Sequence, residues 1–171
     1  MLYLFHIAGF PVQLVLPEPV DIDRLLPSFR PFRYASAERE PLFRLTVADS
    51  IPEWNGNEKV LDESVNDMGH IRLLQEGDNY RVELRSGRGM THRMRMNARM
   101  DNFRAVLGWD DPLVGQVLSS LLRIACSQAI LSREAVSIHA SAVYREGKAC
   151  LFLGKSGTGK STHAALWLKY I

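Results

Sequence analysis

The residues from Gly154 to Ser161 read Gly-Lys-Ser-Gly-Thr-Gly-Lys-Ser and fit the pattern G-x-x-x-x-G-K-[ST]. Such a spacing suits the binding of phosphate groups. Backbone amides have to turn inward toward several anionic oxygens, and glycines allow that approach without a Cβ clash. A helix opening at the loop adds unsatisfied N–H groups and its dipole. In this chemistry Lys160 reaches the β- and γ-phosphates, and the Ser161 hydroxyl is placed to ligate Mg²⁺. The candidate nucleotide-binding set is therefore Gly154, Lys155, Ser156, Gly157, Thr158, Gly159, Lys160, Ser161 and Thr162, with ATP and Mg²⁺ as the expected cofactors.

The flanking residues supply the frame that such a loop needs. The apolar run Ala149–Leu153 precedes it as a strand, and Thr162 to Tyr170 follows with the helix formers Ala164, Ala165, Leu166 and Leu168. Upstream, AVSIHASAVY and ACLFLG flank Arg145-Glu146-Gly147-Lys148 and are expected to pair as antiparallel strands feeding the loop.

The segment SIHASAVYREGKACLFLGKSGTGKST resembles the phosphoenolpyruvate carboxykinase and HPr kinase/phosphorylase superfamily. Ile138-His139-Ala140-Ser141-Ala142 looks like the His-containing strand of the carboxykinases, and Leu151 to Lys160 looks like their loop. The resemblance covers about Ser137 to Trp167. It implies that His139 lies beside the phosphate site, near the acceptor, and it adds His139 to Lys160 as a catalytic candidate. A strand histidine satisfied by a backbone carbonyl is the plainer reading of the same residue. Ser141 either lines the same pocket or is a structural hydroxyl.

Phosphoryl transfer also needs a carboxylate to help hold the metal and a group to orient or deprotonate the acceptor. In the resembled superfamily these acids lie after the loop helix, and here no residues follow Ile171. Asp110-Asp111 sits next to Pro112 and reads as a helix cap, while Asp62, Glu63 and Asp67 fall in a polar, loop-like stretch. The expectation is a chain incomplete for catalysis: a fragment, a shortened reading frame or a separated domain.

The rest of the chain sets the scaffold. YLFHIAG, FPVQLVL and PLFRLTVAD read as strands, EWNGNE as a turn centred on Asn55-Gly56, and HIRLLQEGDNYRVELRSG as a hairpin. THRMRMNARM alternates Arg93, Arg95, Asn97 and Arg99 against Met94, Met96, Ala98 and Met100, which predicts a strand with one basic and one apolar face. DDPLVGQVLSSLLRIACSQAILSR carries apolar residues at helical spacing, with Asp111 as N-cap and Pro112 at the first helical position. Arg81, Arg85, Arg88, Arg93, Arg95, Arg99 and Arg104 make the middle of the chain basic. That face is either solvated or meets RNA or an acidic protein. It shows no interleaved aromatics for stacking on single strands.

Composition narrows the class. With 46% hydrophobic and 23% charged residues the chain is ordinary for a globular protein, and a net charge of +2 gives no sign of bulk nucleic-acid binding. The N-terminal MLYLFHIAGFPVQLVLPEPV lacks a leading positive charge and is broken by His6, Gly9, Pro11 and Gln13, so neither a signal peptide nor a membrane span is expected. The expected location is the cytoplasm. Cys126 and Cys150 lie in apolar contexts without metal-ligand spacing and are expected to be buried, reduced thiols.

The expected fold class is a mixed α/β (α+β) chain. A mostly antiparallel β region runs to about Gly108, a linking helix covers Pro112 to Ser132, and the start of a carboxykinase-like P-loop domain follows. The expected division is 1–132 and 133–171. The expected function is that of an ATP/Mg-binding, HPr-kinase-like phosphotransferase acting on a serine or a small-molecule hydroxyl. Its partners are a nucleotide and a protein or small-molecule phosphoacceptor, with no membrane and no nucleic acid; self-association stays open. Two alternatives stand beside it: an ATP-binding-cassette type ATPase, and a β-rich binding or scaffold module with a vestigial loop.

Overall fold

The computed structural model describes residues 1–35, 40–53, 56–66, 68–155 and 157–170. Asn55 of the expected turn, Asp67 and Ser156 lie outside the described residues. The chain is a mixed α+β protein with a large, mostly antiparallel sheet and few helices, and it divides into two compact units, Met1–Ala135 and Val136–Ile171.

The first unit is built on an eight-stranded sheet, counted over the described residues. Its strands are β1 (Leu2–Ile7), β2 (Phe10–Val15), β3 (Phe43–Val47), β4 (Lys59–Asn66), β5 (Gly69–Glu76), β6 (Asn79–Ser86), β7 (Thr91–Met96) and β8 (Asn102–Val106). Their spatial order is β1-β2-β3-β8-β7-β6-β5-β4. The ladders β2–β3 and β3–β8 are parallel and the rest antiparallel. A parallel step needs a crossover, and the chain between β2 and β3 provides one. It holds the short helix α1 (Ile22–Leu25) and a 3₁₀ turn (Pro27–Phe32), which send Ile22, Leu26 and Phe29 into the core.

Alternation along the strands decides which face is buried. In β7, His92, Met94 and Met96 are buried while Thr91 and Arg93 are exposed; in β8, Phe103 and Ala105 are buried against exposed Asn102 and Arg104. The inner face is covered by α2 (Val114–Ala129), which buries Val117, Leu118, Leu121, Leu122, Ala125 and Ala129 on one stripe. Phe43 and Phe103 meet edge-to-face in this core at 5.2 Å between ring centres. With its 3₁₀ extension to Arg133, the helix is long and apolar enough to cross a membrane by length and composition, a test that buried core helices also pass.

Several expectations are corrected. The helix is a core element of the first unit rather than a linker, and it begins at Val114, with Leu113 at the N-cap position in place of Asp111. The basic strand ends at Met96, because the Asn97 side chain accepts from the Asp101 and Asn102 amides and donates to the Asp101 carboxylate. That turn starts β8, a strand the sequence reading did not separate. The polar stretch holding Asp62 and Glu63 is strand β4, an edge strand exposed along its whole length. It lacks the apolar alternation that would announce it. The run FPVQLVL forms β2 from Phe10, with Ala8 and Gly9 at positive φ making the turn before it.

Candidate functional site

The second unit carries the glycine loop. Strands β9 (Ser141–Arg145) and β10 (Lys148–Phe152) pair antiparallel, joined by Glu146 and Gly147 at φ 51° and 77°. Two successive positive φ values give the tight turn whose twist matches its strands. The loop follows β10, and helix α3 (Lys160–Tyr170) opens at the loop's lysine. Phe152, the last residue of β10, fixes the helix to the strand: its ring lies edge-on to His163 at 4.8 Å and to Trp167 at 5.6 Å.

Within the loop, Gly157 and Gly159 adopt φ 80° and 83°, conformations that other residues rarely hold. A Cβ at Gly154 would come within 2.9 Å of Thr158 Oγ1. Thr158 Oγ1 donates to the Lys155 carbonyl at 2.8 Å, tightening the turn. Lys160 folds back over the loop and donates from Nζ to the Gly154 and Lys155 carbonyls, both at 2.9 Å. The His163 amide donates to the Gly159 carbonyl as the helix begins. Ser161 Oγ lies 3.3 Å from Ser141 Oγ, so the hairpin brings together two hydroxyls twenty positions apart in sequence. Nothing in the sequence alone signals this contact beyond the expected hairpin pairing.

His139 is exposed and lies two residues before β9, outside regular secondary structure rather than in the strand expected for it. Among the described residues it makes no hydrogen bond to a backbone carbonyl. Ser141 begins the strand. Thr162 is exposed in the first turn of α3. No cluster of three or more His, Cys, Asp or Glu side chains suited to a metal is present among the described residues. In this unit the only acidic side chain in the sequence is Glu146. It sits in the hairpin turn, at the end of β10 away from the loop.

The first unit contains a second set of chemistry-bearing residues. His92 and Asp111 are fully buried and joined Nε2 to Oδ2 at 3.1 Å, and His92 Nδ1 accepts from the Gly108 amide at 3.2 Å. The ring is therefore the tautomer with its proton on Nε2. Asp111 Oδ1 accepts from the Leu113 amide at 2.9 Å. The Ser86 hydroxyl, the Leu113 amide and His92 hold the Asp111 carboxyl below the usual carboxylate range, against the opposing effect of burial. Ser86 Oγ is itself buried and outside regular hydrogen-bond geometry among the described residues. Ser, His and Asp together suggest a nucleophilic triad, but both ring nitrogens are engaged and solvent is excluded. No nitrogen is left to take a serine proton. The set ties the start of α2 to β6 and β7.

A cavity of about 800 Å³ is an open groove of the first unit, lined by Arg24, Trp109, Gln116 and Arg123 among others; none of its lining residues belongs to the glycine loop. Of the two cysteines, Cys126 is partly buried against the core, and burial pushes its thiol up to about 11, whereas Cys150 is exposed, contrary to expectation.

Comparison with family models, with curated proteins and with solved structures finds no match to this chain.

Proposed function

We propose that the chain binds Mg·ATP through residues 154–162 and serves as the phosphate-holding part of an HPr-kinase-like phosphotransferase in the cytoplasm. The observation that carries this reading is the strand–loop–helix frame. A glycine loop with two left-handed glycines joins β10 to an eleven-residue helix that opens at Lys160 and Ser161. The loop suits a polyphosphate. Its amides and the α3 N-terminus favour anions, and Lys160, held by two neutral carbonyls, has a charge to give to the β- and γ-oxygens. Ser161 would help hold Mg²⁺, which would supply positive charge against the negative charge developing on the phosphates. Ser141, 3.3 Å from Ser161 Oγ, orients that hydroxyl. By the resemblance, His139 stands toward the acceptor, a serine or a small-molecule hydroxyl.

The unit has no carboxylate near the loop, since Glu146 is its only acid. The metal-binding and acceptor-activating acid therefore has to come from outside residues 136–170. The same fact favours one alternative, a β-rich binding module with a vestigial loop.

Isothermal titration of the 171-residue chain with Mg·ATP, beside Lys160→Ala, separates the two. Saturable binding that disappears in the variant is the expected result. A folded wild-type chain that takes up no Mg·ATP overturns the proposal in favour of the vestigial loop.

A further inference from the structure

The sheet of the first unit has an outer face, opposite α2, whose charges fall into two rows of different character. In one row Arg93, Glu83, Arg72 and Glu63 lie in register on β7, β6, β5 and β4. Their signs alternate and their side chains pair: Arg93 with Glu83 at 3.4 Å, Arg72 with Glu83 at 3.6 Å and with Glu63 at 3.9 Å. One step along the strands, Arg104, Arg95 and Arg81 stand directly opposite one another on β8, β7 and β6. Like charges in facing positions are destabilising. Arg81 is paired with Glu83, but Arg95 and Arg104 have no carboxylate within ion-pair distance among the described residues. Arg44, on the parallel neighbour β3, donates to the neutral Gln13 Oε1 at 2.9 Å and has no acid partner there either.

Arg44, Arg95 and Arg104 thus form an uncompensated cationic cluster on three adjacent strands. Arg95 faces Arg104, and Arg44 lies two positions before Thr46, which faces Arg104; with strands about 4.8 Å apart and a rise of about 3.3 Å per residue, long guanidinium side chains at these positions can meet two or three carboxylates on one short segment. We propose that this face docks an acidic segment of a partner polypeptide. Guanidinium groups match carboxylates in planar, two-pronged pairs, and the cluster contains no lysine. The surroundings favour a peptide over a nucleic acid. The adjoining row holds Glu83 and Glu63, and the loop beside Arg81, Arg93 and Val106 brings Asp49, Glu53 and Glu58 to a cavity of about 450 Å³. A continuous phosphate chain running off the cluster meets these acids. A polypeptide whose acidic block is followed by lysines satisfies both signs.

The test uses the full chain and a fluorescein-labelled peptide carrying an acidic block followed by a lysine pair, read by fluorescence polarisation. A scrambled peptide and a single-stranded oligonucleotide serve as comparisons. Saturable binding of the ordered peptide is expected, weakened about tenfold or more by Arg104→Glu and weakened also by rising salt. Because Arg104→Glu places a carboxylate opposite Arg95, its melting temperature is expected to hold or rise while binding falls, which a merely damaged fold cannot do. Should that variant fold poorly, Arg95→Gln and Arg44→Gln carry the test with the same direction. Equal binding of ordered and scrambled peptides, tighter binding of the oligonucleotide, no binding at all, or variants that bind like wild type each overturn the proposal.

Discussion

Replacing Gly157 by alanine separates the role of the loop's backbone from that of its side chains. Gly157 sits at φ 80°, and a Cβ added there meets nothing within 4 Å. The substitution therefore introduces no clash, and its effect on binding comes from holding an L residue in the left-handed region. That conformation is disfavoured by about 1–2 kcal/mol. If phosphate is held by amides aimed inward by this conformation, the variant spends most of its time with the loop misfolded for binding. The apparent affinity then falls by the fraction of competent loop, roughly 5- to 30-fold. Gly159, at φ 83° with equally open surroundings, is expected to behave alike. Gly154→Ala is expected to be worse than either, because its Cβ would also lie 2.9 Å from Thr158 Oγ1. Titration with Mg·ATP at fixed ionic strength gives the ranking, and circular dichroism shows whether the fold survives. A Gly157→Ala protein that binds Mg·ATP within twofold of wild type refutes the claim that this backbone conformation holds the nucleotide. A Gly154→Ala protein less affected than Gly157→Ala refutes the steric part.

Thiol chemistry checks the packing of α2. Partial burial raises the Cys126 thiol to about 11 while Cys150 is exposed, so a neutral-pH disulfide reagent is expected to modify Cys150 faster than Cys126; equal rates contradict the difference in burial. Acid titration checks the anchor beneath α2. The Asp111 carboxyl is lowered in the folded state, so its contribution is fully present above its ordinary value near 3.8 and is lost as pH falls through its lower folded value. Asp111→Asn is expected to lower stability at pH 7 and to flatten the acid side of the urea-midpoint profile; a parallel shift at every pH contradicts the assignment.

The parts of the fold legible in the sequence are those fixed by short-range chemistry. Gly77-Asp78 gives away the β5–β6 hairpin and Glu146-Gly147 the β9–β10 hairpin, because both place turn residues between alternating runs. Met94 and Met96 read as core and are buried, since period two assigns them to one face. What stayed hidden depends on partners far along the chain. β8 sits parallel to β3 and antiparallel to β7, two strands from distant parts of the chain, and no local pattern encodes that placement. Asp111 has the residue type and neighbour of a helix cap. Its burial against His92, nineteen positions away, is a property of the sheet register that brings β7 under the start of α2.

The candidate site divides along the same line. The glycine turn between β10 and α3 is a local device: glycines, a lysine and a hydroxyl close together make the turn and open the helix, so spacing alone exposes that geometry. The carboxylate that phosphoryl transfer needs is not local, and geometry rules out the one acid of this unit. Glu146 is separated from the loop by the length of β10, five residues from Lys148 to Phe152. At about 3.3 Å per residue that is roughly 17 Å, far beyond any rotamer of a glutamate. Under the proposed function, phosphoryl transfer would need a carboxylate brought by another segment, and one edge of β10 could receive it. Its ladder with β9 occupies one edge, and among the described residues no strand pairs with the other. Under the proposed function, a strand added there parallel to β10 would end on the side of the loop and could bring a carboxylate toward Lys160 and Ser161. If the proposed function holds, Mg·ATP binding without turnover is the expected behaviour of the 171-residue chain, and phosphoryl transfer by that chain refutes the need for a further carboxylate.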